Sequence, residues 1–149
     1  MKIPSLVEDA LARLGRKFED ADYNPTPLID LGAIVANADG KVEDAEKQAL
    51  AQMLEPLLHA HLDTELVGFL VDASLKVLAR TGTSRRIEVL AAILHDCDAV
   101  DEALTVAVAM AGGKAVGAAE RKVIAELATA CEIEPPHLDE LIARVTAAY

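Results

Sequence analysis

The chain has 149 residues, of which 52% are hydrophobic and 26% charged, enough apolar material for one cored domain and too much for a disordered chain. With 14 Lys and Arg against 25 Asp and Glu, its formal net charge is −11, which repels phosphate backbones and anionic headgroups and so argues against nucleic acid or direct membrane binding. The two cysteines, Cys97 and Cys131, have neither metal nor redox spacing and read as small buried hydrophobes of a reducing, cytoplasmic compartment.

The N-terminus lacks the apolar core of a signal peptide, and the longest uncharged run, residues 103–113, is far short of the roughly 18 residues a membrane span needs. Ala, Leu and Glu dominate, aromatics are 3%, and the apolar spacing is helical nearly throughout. These features predict an all-α protein, a compact single domain of seven to eight helices over residues 1–149.

The spacing predicts a first helix opened by a Ser5-x-x-Glu8 capping box, carrying Leu6, Ala10, Leu11, Leu14 and Phe18 inward and ending near Asp20. Thr26-Pro27 reads as an N-cap with proline at the first helical position, opening a helix that Gly40 stops. The next helix begins at Glu43 or Asp44 and carries Leu50, Met53, Leu54, Leu57 and Leu58, with Pro56 kinking or ending it. Asp63 is a candidate cap for a helix through Leu66 and Phe69 to Val77, and Gly82-Thr83-Ser84 breaks the chain before Ile87, Leu90, Ala91 and Leu94.

A helix from Asp98 is apolar almost all round and so should be the most buried, until Gly112-Gly113 ends it. Helices from about Ala118 to Cys131 and from Glu134-Pro135-Pro136 onward complete the chain. Setting Glu46 against Glu120, 74 residues later, also matches Val42 with Val116, Ala45 with Ala119 and Leu50 with Ile124. The shared order of helix, glycine loop and helix predicts a duplication, with repeat-like halves at about 26–60 and 99–147 forming two pseudo-twofold-related hairpins.

The first loop is the richest in chemistry. Gly40 lets the backbone turn left-handed after a helix, so Asp39 sits at the loop mouth, while Glu46 lies in the first turn of the next helix with Glu43 and Asp44 near. Oxygen donors of this kind suit a hard divalent cation. The same residues also serve as ordinary turn and helix-capping chemistry. As an EF-hand the segment would place Asp39, Gly40, Val42 and Glu46 at loop positions 5, 6, 8 and 12, but Val35 would stand at position 1, where the leading carboxylate belongs.

Other clusters are weaker. His59 and His61 are two apart and face different sides of a helix, and His95-Asp96-Cys97-Asp98 sits at a helix end, where polar residues collect. No serine or cysteine stands in a nucleophile elbow, and Gly112-Gly113-Lys114 lacks the remainder of a P-loop. No catalytic residue is therefore assigned.

The segments 30–54 and 104–127, with the middle stretch 62–70, together resemble the TerB family of tellurite-resistance proteins, whose motif is an alanine-rich helix ending Ala-Asp-Gly and followed by a hydrophobic residue and Ala-Glu or Glu-Glu. The N-terminal region of DjlA-type membrane co-chaperones shares the motif. The resemblance implies an all-helical domain of paired hairpins and a role in tellurite or general stress response. The implied mode of action is that of a non-enzymatic adaptor, a monomer or weak dimer that binds a protein partner, such as a membrane-associated Ter-type complex. It further implies acidic loop residues holding one divalent cation, calcium, magnesium or similar. Asp39, Gly40 and Glu46 match the first motif and Glu120 matches the acid of the second, so the candidate metal set is Asp39, Glu43, Glu46 and Glu120. The second Asp-Gly is replaced by Gly112-Gly113, which removes a carboxylate and leaves Lys114 beside the gap. A reading of another class is a small metal-assisted hydrolase using the same acids.

Overall fold

The computed structural model describes residues 3–40, 43–58 and 64–149. The described residues form eight helices and no strand: α1 (Ser5–Asp20), α2 (Pro27–Ala36), α3 (Asp44–Leu58), α4 (Thr64–Thr81), α5 (Thr83–Asp96), α6 (Val100–Met110), α7 (Ala118–Ala130) and α8 (Pro135–Ala148). The expected all-α class is thus observed. His59, His61 and the proposed cap Asp63 lie outside the described residues, as do Lys41 and Val42.

Helix α1 buries Val7, Ala10, Leu11, Leu14 and Phe18, the stripe its spacing predicts. Its start differs from the expected Ser5 cap. Pro4 is the N-cap, its carbonyl accepting from the amides of Val7 at 2.9 Å and Glu8 at 3.0 Å, and no side chain caps the helix. Ser5 already has helical geometry one position further in, where its hydroxyl no longer faces the orphan amides. At α2, Thr26 is the N-cap as expected but holds helical angles, and the amide and hydroxyl of Thr26 both turn back to the side chain of Asn24. Pro56 falls in the last turn of α3, which ends two residues later.

Three helices stop by a device not apparent from the spacing. Asp22, Asp98 and Glu132 have φ of 61°, 52° and 61°, and the residue after each donates its amide back five residues: Tyr23 to Phe18, Ala99 to Leu94 and Ile133 to Ala128, all at 2.9 Å. This is the Schellman arrangement, with an acid where glycine is usual. An L-residue with positive φ carries a steric cost, which Asp tolerates better than most residues because its short polar side chain bonds locally.

The helix packing repeats. Helix α1 lies against α3 as α5 lies against α7, α2 against α4 as α6 against α8, and α3 against α4 as α7 against α8, while α1 meets α6 and α2 meets α5. These matching contacts involve α1 and α5 as well as the later helices, while the contacts of α2 with α7 and of α5 with α6 have no such counterpart. Helix α6 is the shared centre, touching α1, α2, α5, α7 and α8. Its Ala103, Leu104, Val106, Ala107 and Val108 have no solvent exposure, as an all-round apolar helix requires. Its one buried hydroxyl, that of Thr105, donates to the Asp101 carbonyl at 2.9 Å, so no polar group there is orphaned.

Charged ties sit at the ends of this core. Lys17 Nζ donates to the Asp98 carbonyl at 2.7 Å and to both oxygens of Glu102, at 3.0 and 2.9 Å, holding α1 to the α5–α6 turn. Arg86 pairs with Asp30 to join α5 to α2. The His95–Asp98 cluster is used structurally: Asp96 accepts the Tyr23 hydroxyl at 2.7 Å, Cys97 is buried, and Asp98 forms the helix stop.

Leu104→Ala leaves a cavity at the centre of the packing and is expected to cost about 2–5 kcal/mol in urea unfolding at unchanged slope. A loss below about 1 kcal/mol would contradict the central position of α6.

Candidate functional site

Two connections build the site: the one between α2 and α3, described at residues 37–40 and 43, and residues 111–117 between α6 and α7. They enter and leave in the same register. Asn37 N bonds Ala33 O at 2.9 Å as Ala111 N bonds Ala107 O at 3.0 Å, and Lys47 N bonds Glu43 O at 3.1 Å as Arg121 N bonds Gly117 O at 2.9 Å. Each pair is 74 residues apart, the offset that aligned Glu46 with Glu120.

The loop interiors differ. In the first, Gly40 has φ of 85° and an added Cβ would meet none of the described residues within 4 Å, so among these the turn needs glycine for its backbone alone. Asp39 and Glu43 are exposed beside it. In the second, Gly112 and Gly113 both have positive φ, 116° and 61°. A Cβ at Gly113 would lie 2.2 Å from Cε2 of Tyr149, whose ring lies over this glycine. Thr146 Oγ1 donates to the Gly113 carbonyl at 3.1 Å. Gly113 is the residue 74 beyond Asp39, so an aromatic ring from the end of α8 covers the position that corresponds to Asp39. The Tyr149 hydroxyl is itself buried without a partner among the described residues, and burial pushes its pKa up. Lys114 is exposed.

Helix starts explain the two glutamates. Glu43 is the residue before α3 and Glu46 the third residue of that helix; the carboxylate of Glu46 accepts the backbone amide of Glu43, the return half of a capping box. Gly117 and Glu120 repeat the arrangement on α7: Gly117 is the N-cap, and Glu120 Oε2 lies 2.3 Å from where a Gly117 Cβ would stand, so the carboxylate is folded back over its own helix start. The absence of a Cβ at Gly117 makes that room.

Both carboxylates are half-buried and face one cleft of about 280 Å³. Its walls are apolar, with Ala36 from α2, Ala45, Ala49 and Met53 from α3, and Ala109 and Met110 from α6. The Glu46 carboxyl is pushed above the ordinary glutamate value first by burial and then by the negative charges of Asp39, Glu43 and Glu120, against the lowering effect of the Glu43 amide. All four predicted acids are therefore within electrostatic reach of one point.

They do not form an ion cage. Among the described residues no group of three or more His, Cys, Asp or Glu side chains is placed to hold a metal. With Glu46 and Glu120 each turned to its own helix start, the set lacks the convergent six to eight oxygens that calcium takes, or the octahedron that magnesium demands. Val35, the EF-hand first position, is a core residue of α2 at 2% exposure. Both thiols are buried, and burial raises each pKa, that of Cys131 to about 11, so neither is a ready nucleophile.

Tyr149 and Thr146 were not singled out by sequence reasoning. The available signal was compositional, since Tyr149 is one of only two tyrosines and two phenylalanines in the chain.

Gly40→Ala is expected to cost about 1–2 kcal/mol for left-handed backbone alone, and Gly113→Ala about 1–3 kcal/mol more because Tyr149 must move. Adding Tyr149→Ala should cancel part of the Gly113→Ala loss in a double-mutant cycle, whereas strict additivity would contradict the ring placement. Tyr149→Phe removes an unpartnered hydroxyl and should be neutral or stabilising.

Because the folded-state pKa of Glu46 is raised, its ionisation disfavours the fold: this contribution is absent below the ordinary value of 4.5 and grows as pH rises through the raised value. Glu46→Gln should therefore raise the melting temperature modestly at pH 7 relative to the unsubstituted protein, with the difference shrinking toward pH 4. A Glu46→Gln protein less stable at pH 7 than at pH 4, each relative to the unsubstituted chain, would contradict this.

No described helix is long and apolar enough to cross a membrane. No protein-family model, curated protein or solved structure matches the chain.

Proposed function

We propose that this chain is a non-enzymatic, partner-binding protein of the TerB-like, stress-response kind, which takes a lysine or arginine side chain of another protein into the cleft between its two glycine loops. The observation that carries this reading is the pair of half-buried glutamates, Glu46 and Glu120, brought from equivalent helix starts to the mouth of one alanine-lined cleft. A methylene stem suits the apolar walls and a cationic head suits the carboxylates. The excess of negative charge on the chain, −11 overall, draws a basic partner toward it.

Glu46 supports the reading a second way. Four carboxylates crowd one another here, and a bound cation relieves that repulsion without requiring an ion cage. Asp39 and Glu43, exposed on the open loop, supply the rim of the same acidic patch.

Calorimetry with a blocked lysine-containing peptide and its norleucine counterpart tests the proposal. The lysine peptide should bind, more weakly at high salt, and the Glu46→Gln/Glu120→Gln protein should lose at least about tenfold in affinity. Equal binding of the norleucine peptide, or no change in the double variant, would overturn it. Calcium or magnesium binding that vanishes in Asp39→Asn would favour the ion-holding reading instead.

A further inference from the structure

We infer that α4 is a self-association surface, on which a second copy of this chain docks antiparallel to form a symmetric dimer. Four large hydrophobic residues are exposed among the described residues, and three of them, Leu66 at 43%, Phe69 at 65% and Val77 at 39%, lie on α4. Single exposed apolar residues are ordinary, but these three share one stripe with the exposed Ala73 at helical spacing. The stripe lies on the side of α4 away from its core residues Val67, Val71 and Leu78.

Charge selects the occupant. The chain carries −11, so two copies repel over most of their surfaces. Helix α4 is an exception: its charged residues are Glu65, Asp72, Lys76 and Arg80, which sum to zero. The acids occupy the N-terminal half and the bases the C-terminal half, and Glu65, Asp72 and Lys76 run along one flank of the stripe.

A twofold axis lying across the helix beside Ala73 reverses the helix direction while keeping that flank on the same side. It sets Phe69 of one copy against Val77 of the other, brings Glu65 next to Arg80, and places Asp72 within a turn of Lys76. Ala73, small and at the crossing point, permits close approach of the two helices. A parallel arrangement would put the charged flanks on opposite sides and leave them unpaired. Such an isologous contact is self-complementary, as closed symmetry requires. One helix face buries less than a standard interface, which puts the self-affinity in the micromolar range or weaker.

Sedimentation of the full chain between about 5 and about 500 µM tests the inference. The mass should rise toward that of a dimer, and Phe69→Asp, an exposed position, should weaken association at least about tenfold. Asp72→Lys alone should also weaken it, and the swap Asp72→Lys/Lys76→Asp should restore it, because the exchanged charges still meet across the axis. Circular dichroism of each variant checks that helix content is kept. A monomer at all concentrations, an unaffected Phe69→Asp, or a charge swap as weak as the single variant would each overturn the antiparallel α4 dimer.

Discussion

The burial of α6 on every side is the constraint from which the remaining organisation follows. A helix whose central residues are wholly shielded must be surrounded, and α1, α2, α5, α7 and α8 do so. Its alanines at 103 and 107 leave the larger residues Leu104, Val106 and Val108 to fill the gaps between neighbours, as dense packing requires. Because the central residues of α6 are all uncharged, polar fastening moves to its ends, at Lys17 with Glu102 in its first turn on one side and at the glycine loop on the other. The C-terminal end of α6 also forms a wall of the cleft, through Ala109 and Met110, so core packing and site geometry are one arrangement.

The two glycine loops, alike at their ends, differ in their interiors. Both keep the same length, the same backbone register and a glutamate turned to its own helix start. They part at one position, where Asp39 faces solvent in the first and Gly113 lies under the Tyr149 ring in the second. Filling that place with an aromatic ring turns the second loop from a potential acidic counterpart into packed structure. What the halves still share at the cleft is the glutamate pair, and the open acids lie on one side only.

Much of the fold was legible in the sequence because it depends on apolar periodicity and on proline and glycine. The stripe of α1, the all-round apolar α6 and the break at Gly82 all follow from local pattern. The positive-φ acids Asp22, Asp98 and Glu132 were not legible, because each is fixed by a backbone bond from the following residue, which the residue type does not encode. The offset of 74 pointed to Glu46 and Glu120 as related residues, but not to the direction their carboxylates turn. A capping box and a metal ligand use the same residue type at the same helix position, and the three-dimensional placement of the neighbouring amide distinguishes them. The role of Tyr149 depends on a contact across 36 residues of chain, which no local pattern encodes.

At the cleft, Glu46 is a partly buried capping carboxylate crowded by other acids. Carboxyl-carbon NMR of the unsubstituted chain through a pH titration measures this directly. Glu46 is expected to titrate above 4.5, and its midpoint should fall in Glu120→Gln as one neighbouring charge is removed. A midpoint at or below the ordinary glutamate value, or one that ignores Glu120, would contradict the account.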